Sequence, residues 1–251
     1  MGQRVEVSKV STGISFPGGV ELPPAWEKEE KEYGVRAAIE EAGKKERDPD
    51  TIWTDGSKLE SGGFGAAVAW YKEKESAPRG SMVFQRRGFS TAGQRREKAG
   101  NTYHSRHRSI EARSGWRSRG FGMGGGHEAY DAEPAALVYG LIRLHGRGEV
   151  GHTHTIFTES TAAMRQIVKD APGAGQEMAI ELARRIIDQG NSITVRWTPA
   201  HRGVEGNERA DRAAKDVASL PPLRATRRHF SLAFLRRRAT ARATQTWRRN
   251  I

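Results

Sequence analysis

The chain has no cysteine among its 251 residues, and it also lacks any long apolar run. The first absence excludes disulfide bonds and thiolate metal sites, and it is consistent with a reducing compartment. The second leaves no candidate transmembrane helix, and the opening MGQRVEVSKV has no apolar segment typical of a secretory signal. We therefore expect an intracellular protein of the cytoplasm or nucleus that is not secreted and has no membrane partner.

Positive charge is abundant instead, with 42 Lys and Arg against 30 Asp and Glu and a formal net charge of +12. Such a surplus favours polyanionic partners, because neutralising their charges releases counterions and attraction speeds encounter. Nucleic acid is the first candidate, although a membrane surface or simple solubility is also compatible with this charge. The motifs must separate these alternatives.

Composition divides the chain into regions. Residues 1–50 pass from Gly, Pro and Ser into a charged run, which predicts a solvated lead-in helix or linker. The apolar pattern of residues 51–218 is typical of a folded domain. Residues 86–120 interrupt it, because they contain ten Arg or Lys and two Glu and show no apolar periodicity. That interval predicts a basic, disordered insert. Residues 222–251 contain nine Arg and no acid beside an apolar stripe, typical of a basic amphipathic helix.

Apolar periodicity predicts a mixed α/β domain. TIWTD and FGAAVAWY read as a β-hairpin, and the later segments alternate between helix and strand. Pro134 is expected in the first turn of the helix AEPAALVYGLIRLH, which places Glu133 at its entrance. The remaining elements are, in order, the strand HTIFTES, the helices TAAMRQIVKD and QEMAIELARRIIDQG, the strand SITVRWTP and the helix NERADRAAKDVASL. We predict one mixed sheet with helices packed on it.

Four acidic residues occupy the ends of these elements. Asp55 and Glu159 come at strand exits, Glu133 at a helix start and Asp211 in the first turns of the last helix. Such positions gather ligands in open α/β sheets, and hard oxygen donors suit Mg²⁺ or Mn²⁺. Two ions about 4 Å apart can orient a water and stabilise the leaving oxygen in phosphodiester hydrolysis. Taken singly, each acid is more often structural, so their joint order carries the interpretation.

The joint pattern resembles the type 1 ribonuclease H domain. TDGS before a Gly-Ala strand, DAE opening a helix, FTES, and WTPAHRGVEGNERADRAAK appear in that family's order over about residues 51–218. The last segment is the most specific, because His201 lies ten residues before Asp211 with Gly-Asn-Glu between them. The APGAG link and the SLAFLRRRATARATQTW tail more narrowly resemble ribonuclease H domains of fungal non-LTR retrotransposon polyproteins.

The resemblance implies a five-stranded mixed sheet, three antiparallel strands followed by two parallel ones, flanked by helices. It implies endonucleolytic cleavage of the RNA strand of an RNA/DNA hybrid with two Mg²⁺ or Mn²⁺ ions, by a monomer or a part of a larger reverse transcriptase polyprotein. By position, the four acids become metal ligands and His201 assists proton traffic or product release. Gly56, Ser57 and Ser160 match positions that contact the hybrid backbone, whose 2′-hydroxyls short polar groups can recognise.

Glu159 departs from the family pattern, which has aspartate there. The extra methylene extends the carboxylate by about 1.5 Å, so we expect reduced turnover more readily than lost metal binding. A non-catalytic module that binds hybrid or RNA is therefore a second hypothesis, and another nuclease or integrase of the same fold is a weaker third. The interval 86–120 is either an arm that grips phosphates or drifted sequence.

Two histidine pairs, His104 with His107 and His152 with His154, have spacings seen among metal ligands. With no cysteine and no convergent third histidine in the sequence pattern, they are interpreted as surface or strand residues.

Overall fold

The computed structural model describes residues 16–23, 30–72, 107–111, 115–169, 175–220 and 232–249. Its strands are β1 (Gly19–Glu21), β2 (Thr51–Lys58), β3 (Phe64–Tyr71), β4 (His107–Glu111), β5 (Trp116–Gly122), β6 (Thr153–Thr158) and β7 (Ser192–Trp197). Its helices are α1 (Glu30–Lys44), α2 (Ala129–His145), α3 (Thr161–Ile167), α4 (Gln176–Asp188), α5 (Glu205–Ala218) and α6 (Leu232–Arg249).

The described strands form one mixed sheet in the order β1-β7-β6-β2-β3-β5-β4. β2, β3 and β5 are antiparallel neighbours, whereas β6 and β7 run parallel to β2 on its other side. These five strands have the predicted arrangement of three antiparallel strands followed by two parallel ones. The structure adds β4 at one edge and the three-residue β1 at the other, so the sheet has seven strands where five were expected.

Buried side chains of β2 lie on both faces of the sheet, because successive side chains of a strand point to opposite faces. Ile52 joins one apolar cluster, together with Leu137 and Leu141 of α2 and Ile180 of α4. Trp53 faces the opposite way and stacks on a phenylalanine of β6 with ring centroids 4.4 Å apart. Its cluster includes residues of α1 and α5, so the sheet is covered by helices on both faces.

The lead-in takes part in this core, where the sequence predicted a solvated helix or linker. Ala42 of α1 is fully buried in the cluster around Trp53. Just beyond α1, the Glu46 carboxylate accepts a hydrogen bond from the backbone N–H of Glu205, the first residue of α5. A carboxylate at that place satisfies a free amide and suits the helix dipole. A charged helix can thus be buried along a narrow stripe of small residues.

The interval 86–120, predicted as a disordered insert, contains β4 and the start of β5. Residues 86–106 and 112–114 lie outside the described residues. β5 pairs with β3 over seven positions, from Tyr71↔Trp116 to Gly65↔Gly122. Its sequence, WRSRGFG, shows no apolar alternation because Arg and Gly occupy the strand. Arginine stems can cover a sheet face while their charged ends reach out, so a strand with this composition escapes a hydrophobicity pattern.

Helix α2 begins about a turn earlier than predicted. The backbone N–H of Glu128 donates to the Asp131 carboxylate at 2.6 Å, a side-chain contact that starts the helix at Ala129. Pro134 is consequently inside the helix and Glu133 lies in its second turn, not at its entrance. The prediction placed too much weight on the preference of proline for the first turn.

The basic C-terminal segment contains a helix over Leu232–Arg249. Arg237 of this helix pairs with Glu128 at 2.8 Å. Among the helices described, none combines the length and apolar character that crossing a bilayer would take.

Candidate metal centre

The register between β2 and β6 places two of the predicted site residues side by side. The two strands are parallel, and their last paired residues are Thr54 and Thr158. Asp55 and Glu159 each follow directly, at the carboxyl edge where parallel strands commonly present ligands. Asp55 is within β2, which continues to Lys58 along β3, and Glu159 lies just past the end of β6.

A close approach between β2 and α2 brings the third carboxylate to this edge. A Cβ atom on Gly56 would lie 2.4 Å from the carbonyl carbon of Ala132, so only glycine permits the observed separation. The backbone N–H of Gly56 hydrogen-bonds to the Glu133 carboxylate. Gly56, predicted to contact the hybrid, therefore has its amide engaged by a neighbouring site residue.

Asp55, Glu133 and Glu159 form a compact carboxylate cluster. One oxygen from each lies within 4.8 Å of the other two. Asp55 is only 2 % exposed, and one buried oxygen of Asp55 and one of Glu133 have no hydrogen-bond partner among the described residues. Buried carboxylates without partners are costly unless they are protonated or bind a cation.

The pKa values of these carboxyl groups reflect their burial and close spacing. Burial, followed by repulsion from the Glu133, Glu159 and Asp211 carboxylates, raises the pKa of Asp55 to about 9. Burial and repulsion from Glu159 raise the pKa of Glu133 to about 8, against the opposing hydrogen bond from Gly56. A divalent cation would remove both penalties, because it neutralises the charge that the burial disfavours.

Glu159 is positioned by residues of β7 and α5. Its carboxylate accepts a hydrogen bond from Nδ2 of Asn207 at 3.3 Å, and its backbone carbonyl accepts one from the indole of Trp197 at 3.1 Å. Asn207 is 2 % exposed. In the sequence Asn207 stands within the Gly-Asn-Glu run, and no role was predicted for it. Its burial in a polar loop-to-helix segment could not be read from one sequence.

Asp211 lies beside the cluster without joining it. Its carboxylate pairs with Lys215 at 2.7 Å, one helical turn further along α5. It forms a second potential ligand group with His201 and Glu208, and it still contributes to the raised pKa of Asp55. The i,i+4 spacing of Asp211 and Lys215 is visible in the sequence and could have indicated this pair.

The other predicted site residues surround the cluster. His201 is exposed in the loop before α5 with a left-handed backbone at φ 50°. Ser57 is buried on β2 beyond Asp55. Ser160 is the N-cap of α3, where its hydroxyl accepts a hydrogen bond from the backbone N–H of Ala163 at 3.1 Å. The serine hydroxyl at 160 therefore has a structural function in this fold.

The donor set fits a hard divalent cation. All three clustered side chains offer carboxylate oxygens, the ligands that Mg²⁺ and Mn²⁺ prefer. The mixed sheet has β2 at its centre, helices on both faces and acids at the carboxyl edge, which is the strand arrangement that the sequence resemblance implied.

No protein-family model matches the chain, and no curated protein matches it. One similar solved structure is an N-terminal ribonuclease H domain from Mycobacterium tuberculosis, fused to maltose-binding protein, with 14% identity and a TM-score of 0.39 over 67% of this chain and 94% of that chain. Another is ribonuclease H1 of the halophilic archaeon Halobacterium salinarum, with 16% identity and a TM-score of 0.37 over 66% and 95%. We therefore infer function from the acidic cluster itself.

Proposed function

We propose that this chain is a divalent-metal-dependent endonuclease that hydrolyses the RNA strand of RNA/DNA hybrids. The observation that carries the proposal is the cluster of Asp55, Glu133 and Glu159, whose oxygens lie within 4.8 Å of one another, two of them buried without partners among the described residues. The net charge of +12 supports a polyanionic substrate. The ribonuclease H motifs around each acid support the hybrid as that substrate.

The three clustered carboxylates would hold the cations, with Asp211 as a further ligand from α5. When bound, Mg²⁺ or Mn²⁺ supplies Lewis-acid stabilisation to the attacking water and to the leaving oxygen. Asn207 keeps the Glu159 carboxylate directed toward the cluster through its amide. Lys215 pairs with Asp211 at the rim, so ligation by Asp211 would require its carboxylate to turn from Lys215 toward the cluster.

His201 would act as the proton carrier at the exit of the site. It is exposed on a loop immediately before the helix that carries Asp211. An exposed imidazole can deliver a proton to the departing 3′ oxygen and then exchange a proton with solvent. The backbone at Ser57 and Ser160 lies beside the two strand-borne acids, where it could meet the sugar-phosphate chain of the hybrid.

A retroelement origin forms part of the proposal. The short link at 171–175 and the arginine-rich tail support descent from a fungal non-LTR retrotransposon polyprotein, acting inside the cell where hybrids form. Two metal ions are proposed because four carboxylates surround the edge of the sheet.

The deciding experiment is cleavage of an end-labelled RNA/DNA hybrid with Mg²⁺ or Mn²⁺, resolved on a denaturing gel. We expect RNA fragments with 3′-hydroxyl ends, and a loss on the order of a hundredfold or more in Asp55→Asn. Asp188→Asn, which neutralises an exposed carboxylate at the end of α4, is the matched control and should cleave normally.

Hybrid binding without cleavage would favour the second hypothesis, a module that keeps the fold but not the chemistry. That hypothesis was based on Glu159 in place of aspartate, and a further feature that favours it is Asp211, which pairs with Lys215 and stands outside the three-carboxylate group. A filter-binding assay on the same labelled hybrid separates the two outcomes. Absence of both binding and cleavage would contradict both hypotheses.

A further inference from the structure

A second cluster of potential ligands lies at the opposite end of the same two strands. Asp50 immediately precedes β2, His152 and His154 stand at the start of β6, and Glu149 lies in the loop before them. Asp50 and Asp55 are five positions apart, which is about 16 Å along β2. The two clusters are therefore distinct sites.

His154 is the feature that points to a ligand. The residue is 1 % exposed, and its Nδ1 atom makes no hydrogen bond within the described structure. That nitrogen lies 3.4 Å from Oδ1 of Asp50. Donor atoms of Asp50, Glu149 and His154 all lie within 4.8 Å of one another. A buried imidazole nitrogen without a partner is costly, and here it faces two carboxylates.

The 3.4 Å separation also has the right size for shared coordination. Zinc binds imidazole nitrogen and carboxylate oxygen at about 2.0–2.2 Å, so neighbouring ligands of a tetrahedral ion stand roughly 3.3–3.5 Å apart. His154 and Asp50 are already at that spacing. One nitrogen and two carboxylate ligands with an open position match borderline divalent ions such as Zn²⁺.

Surrounding contacts hold the carboxylate in place. The Asp50 oxygens lie 2.9 and 3.0 Å from Nδ1 of His152, whose ring stacks on that of His154 with centroids 5.8 Å apart. The backbone N–H of His152 donates to Oδ1 of Asn191, and Nδ2 of Asn191 donates to the carbonyl of Glu149. Outer contacts of this kind orient the ligands of a metal ion.

Among the described residues, one guanidinium faces the cluster. Nη1 of Arg147 lies 3.8 Å from Asp50 and 3.4 Å from Glu149, and it donates to the Pro49 carbonyl at 2.7 Å. The two carboxylates outnumber the guanidinium, so the cluster can attract a cation, which would compete with a proton on His152, whose pKa the hydrogen bond with Asp50 raises. The guanidinium is also anchored by the carbonyl, so it can stay in place when an ion binds.

We propose that His154, Asp50 and Glu149 bind a Zn²⁺ ion with water as the fourth ligand, which ties the starts of β2 and β6 together, with His152 as a positioning residue on Asp50. The ion would link the α1–β2 connection to the loop before β6. Stabilisation of the fold is its expected effect, independent of hybrid cleavage.

The test measures metal binding to the full chain carrying Asp55→Asn, which removes a ligand from the acidic centre. Titration calorimetry with Zn²⁺ alone should show one ion bound per chain. Asp50→Asn and Glu149→Gln should each weaken binding by about tenfold or more. At saturating Zn²⁺ the melting temperature should rise by roughly 5 °C or more, and this rise should disappear in both variants.

Glu181→Gln, which neutralises an exposed carboxylate on α4, is the matched control and should bind Zn²⁺ unchanged. Co²⁺ as a spectroscopic probe should give four-coordinate ligand-field absorption, which His154→Asn should abolish. If His154→Asn fails to fold, the two carboxylate variants decide the matter. Absence of Zn²⁺ binding, or equal affinity in Asp50→Asn, Glu149→Gln and Glu181→Gln, would overturn the proposal.

Discussion

At the residue scale, Glu159 has one methylene more than the aspartate expected at its position. Its carboxylate nevertheless reaches the other two acids because the amide of Asn207 holds it. We expect Glu159→Asp to raise the rate of hybrid cleavage about tenfold to a hundredfold, since misplacement near 1 Å is costly to catalysis. Single-turnover cleavage assays measure this gain. Glu181→Asp on α4 removes the same methylene from an exposed site and should change nothing; equal rates in all three proteins would contradict the expectation.

The raised pKa values of Asp55 and Glu133 predict how stability depends on pH in the absence of metal. The folded state raises the pKa of Asp55 from 3.8 to about 9 and that of Glu133 from 4.5 to about 8. The folded protein therefore keeps protons that the unfolded chain releases. The stability that results from this proton uptake is fully present below about pH 4, and it is lost as the pH rises toward 9.

Asp55→Asn should accordingly be more stable than the parent chain at pH 8 in the presence of a chelator. Its free energy of unfolding should also decline less between pH 5 and pH 9. Denaturant unfolding at several pH values measures both slopes. Added Mg²⁺ should increase the stability of the parent chain more at pH 8 than at pH 5. A parent and variant with parallel pH profiles would show that burial and the neighbouring carboxylates do not raise the pKa of Asp55 in the folded state.

At the scale of elements, Gly56 sets the contact between β2 and α2. A methyl group there would meet the backbone of Ala132 at 2.4 Å, where nothing flexible can yield. We expect Gly56→Ala to destabilise the protein by about 1–3 kcal/mol or more and to weaken metal binding, because β2 and α2 must separate. Thermal unfolding and calorimetry with Mn²⁺ report the two effects.

The control for this substitution is Gly43→Ala. Gly43 lies in α1, and a methyl group added there would have no atom within 4 Å. Alanine should stabilise a helix interior by up to about 1 kcal/mol. If both variants behaved alike, the close approach at Gly56 would not explain the geometry of the site.

Elements with clear apolar periodicity could be predicted from the sequence. FGAAVAWY and HTIFT combine buried apolar residues with flanking turns, and both are strands near the predicted bounds. β5 could not be found in this way, because its interior carries Arg117 and Arg119 and its pairing with β3 is long-range. The short β1 was missed for a related reason, since three residues carry too little pattern and depend on a partner strand far along the chain.

The candidate site also contains some residues that could be predicted from the sequence and others that could not. Asp55 and Glu159 could be placed because strand ends are visible in the sequence and parallel strands share an edge. The hydrogen bond from Asn207 to Glu159 depends on how α5 crosses the sheet, which local pattern does not specify. Glu133 was placed at the wrong turn of α2, yet it reaches the cluster because Gly56 admits the helix so closely.

At the scale of the whole molecule, charge distribution predicts how hybrid binding responds to salt. Residues 86–106 contain six Arg or Lys and one Glu. If this segment grips phosphates, its deletion should weaken hybrid binding and reduce the salt dependence by about 0.9 for each phosphate that is no longer neutralised. Fluorescence anisotropy at several salt concentrations measures both quantities. β4 and β5 must be retained, since they belong to the sheet.

Replacing 86–106 by a neutral Gly-Ser segment of equal length separates charge from length. The neutral replacement should behave like the deletion. Unchanged salt dependence in both variants would instead favour drifted sequence without a role in binding.

The parallel pairing of β1 with β7 joins Gly19 to Thr194, residues that are made far apart in time. At a synthesis rate of 5–20 residues per second, β1 waits roughly 10–35 s on the ribosome before its partner strand emerges. Pairing at such a separation raises contact order and slows the final folding step. Until β1 arrives, the outer edge of β7 offers its free amides and carbonyls to any other extended chain. Folding yield of this protein should therefore depend on how quickly β1 covers the edge of β7.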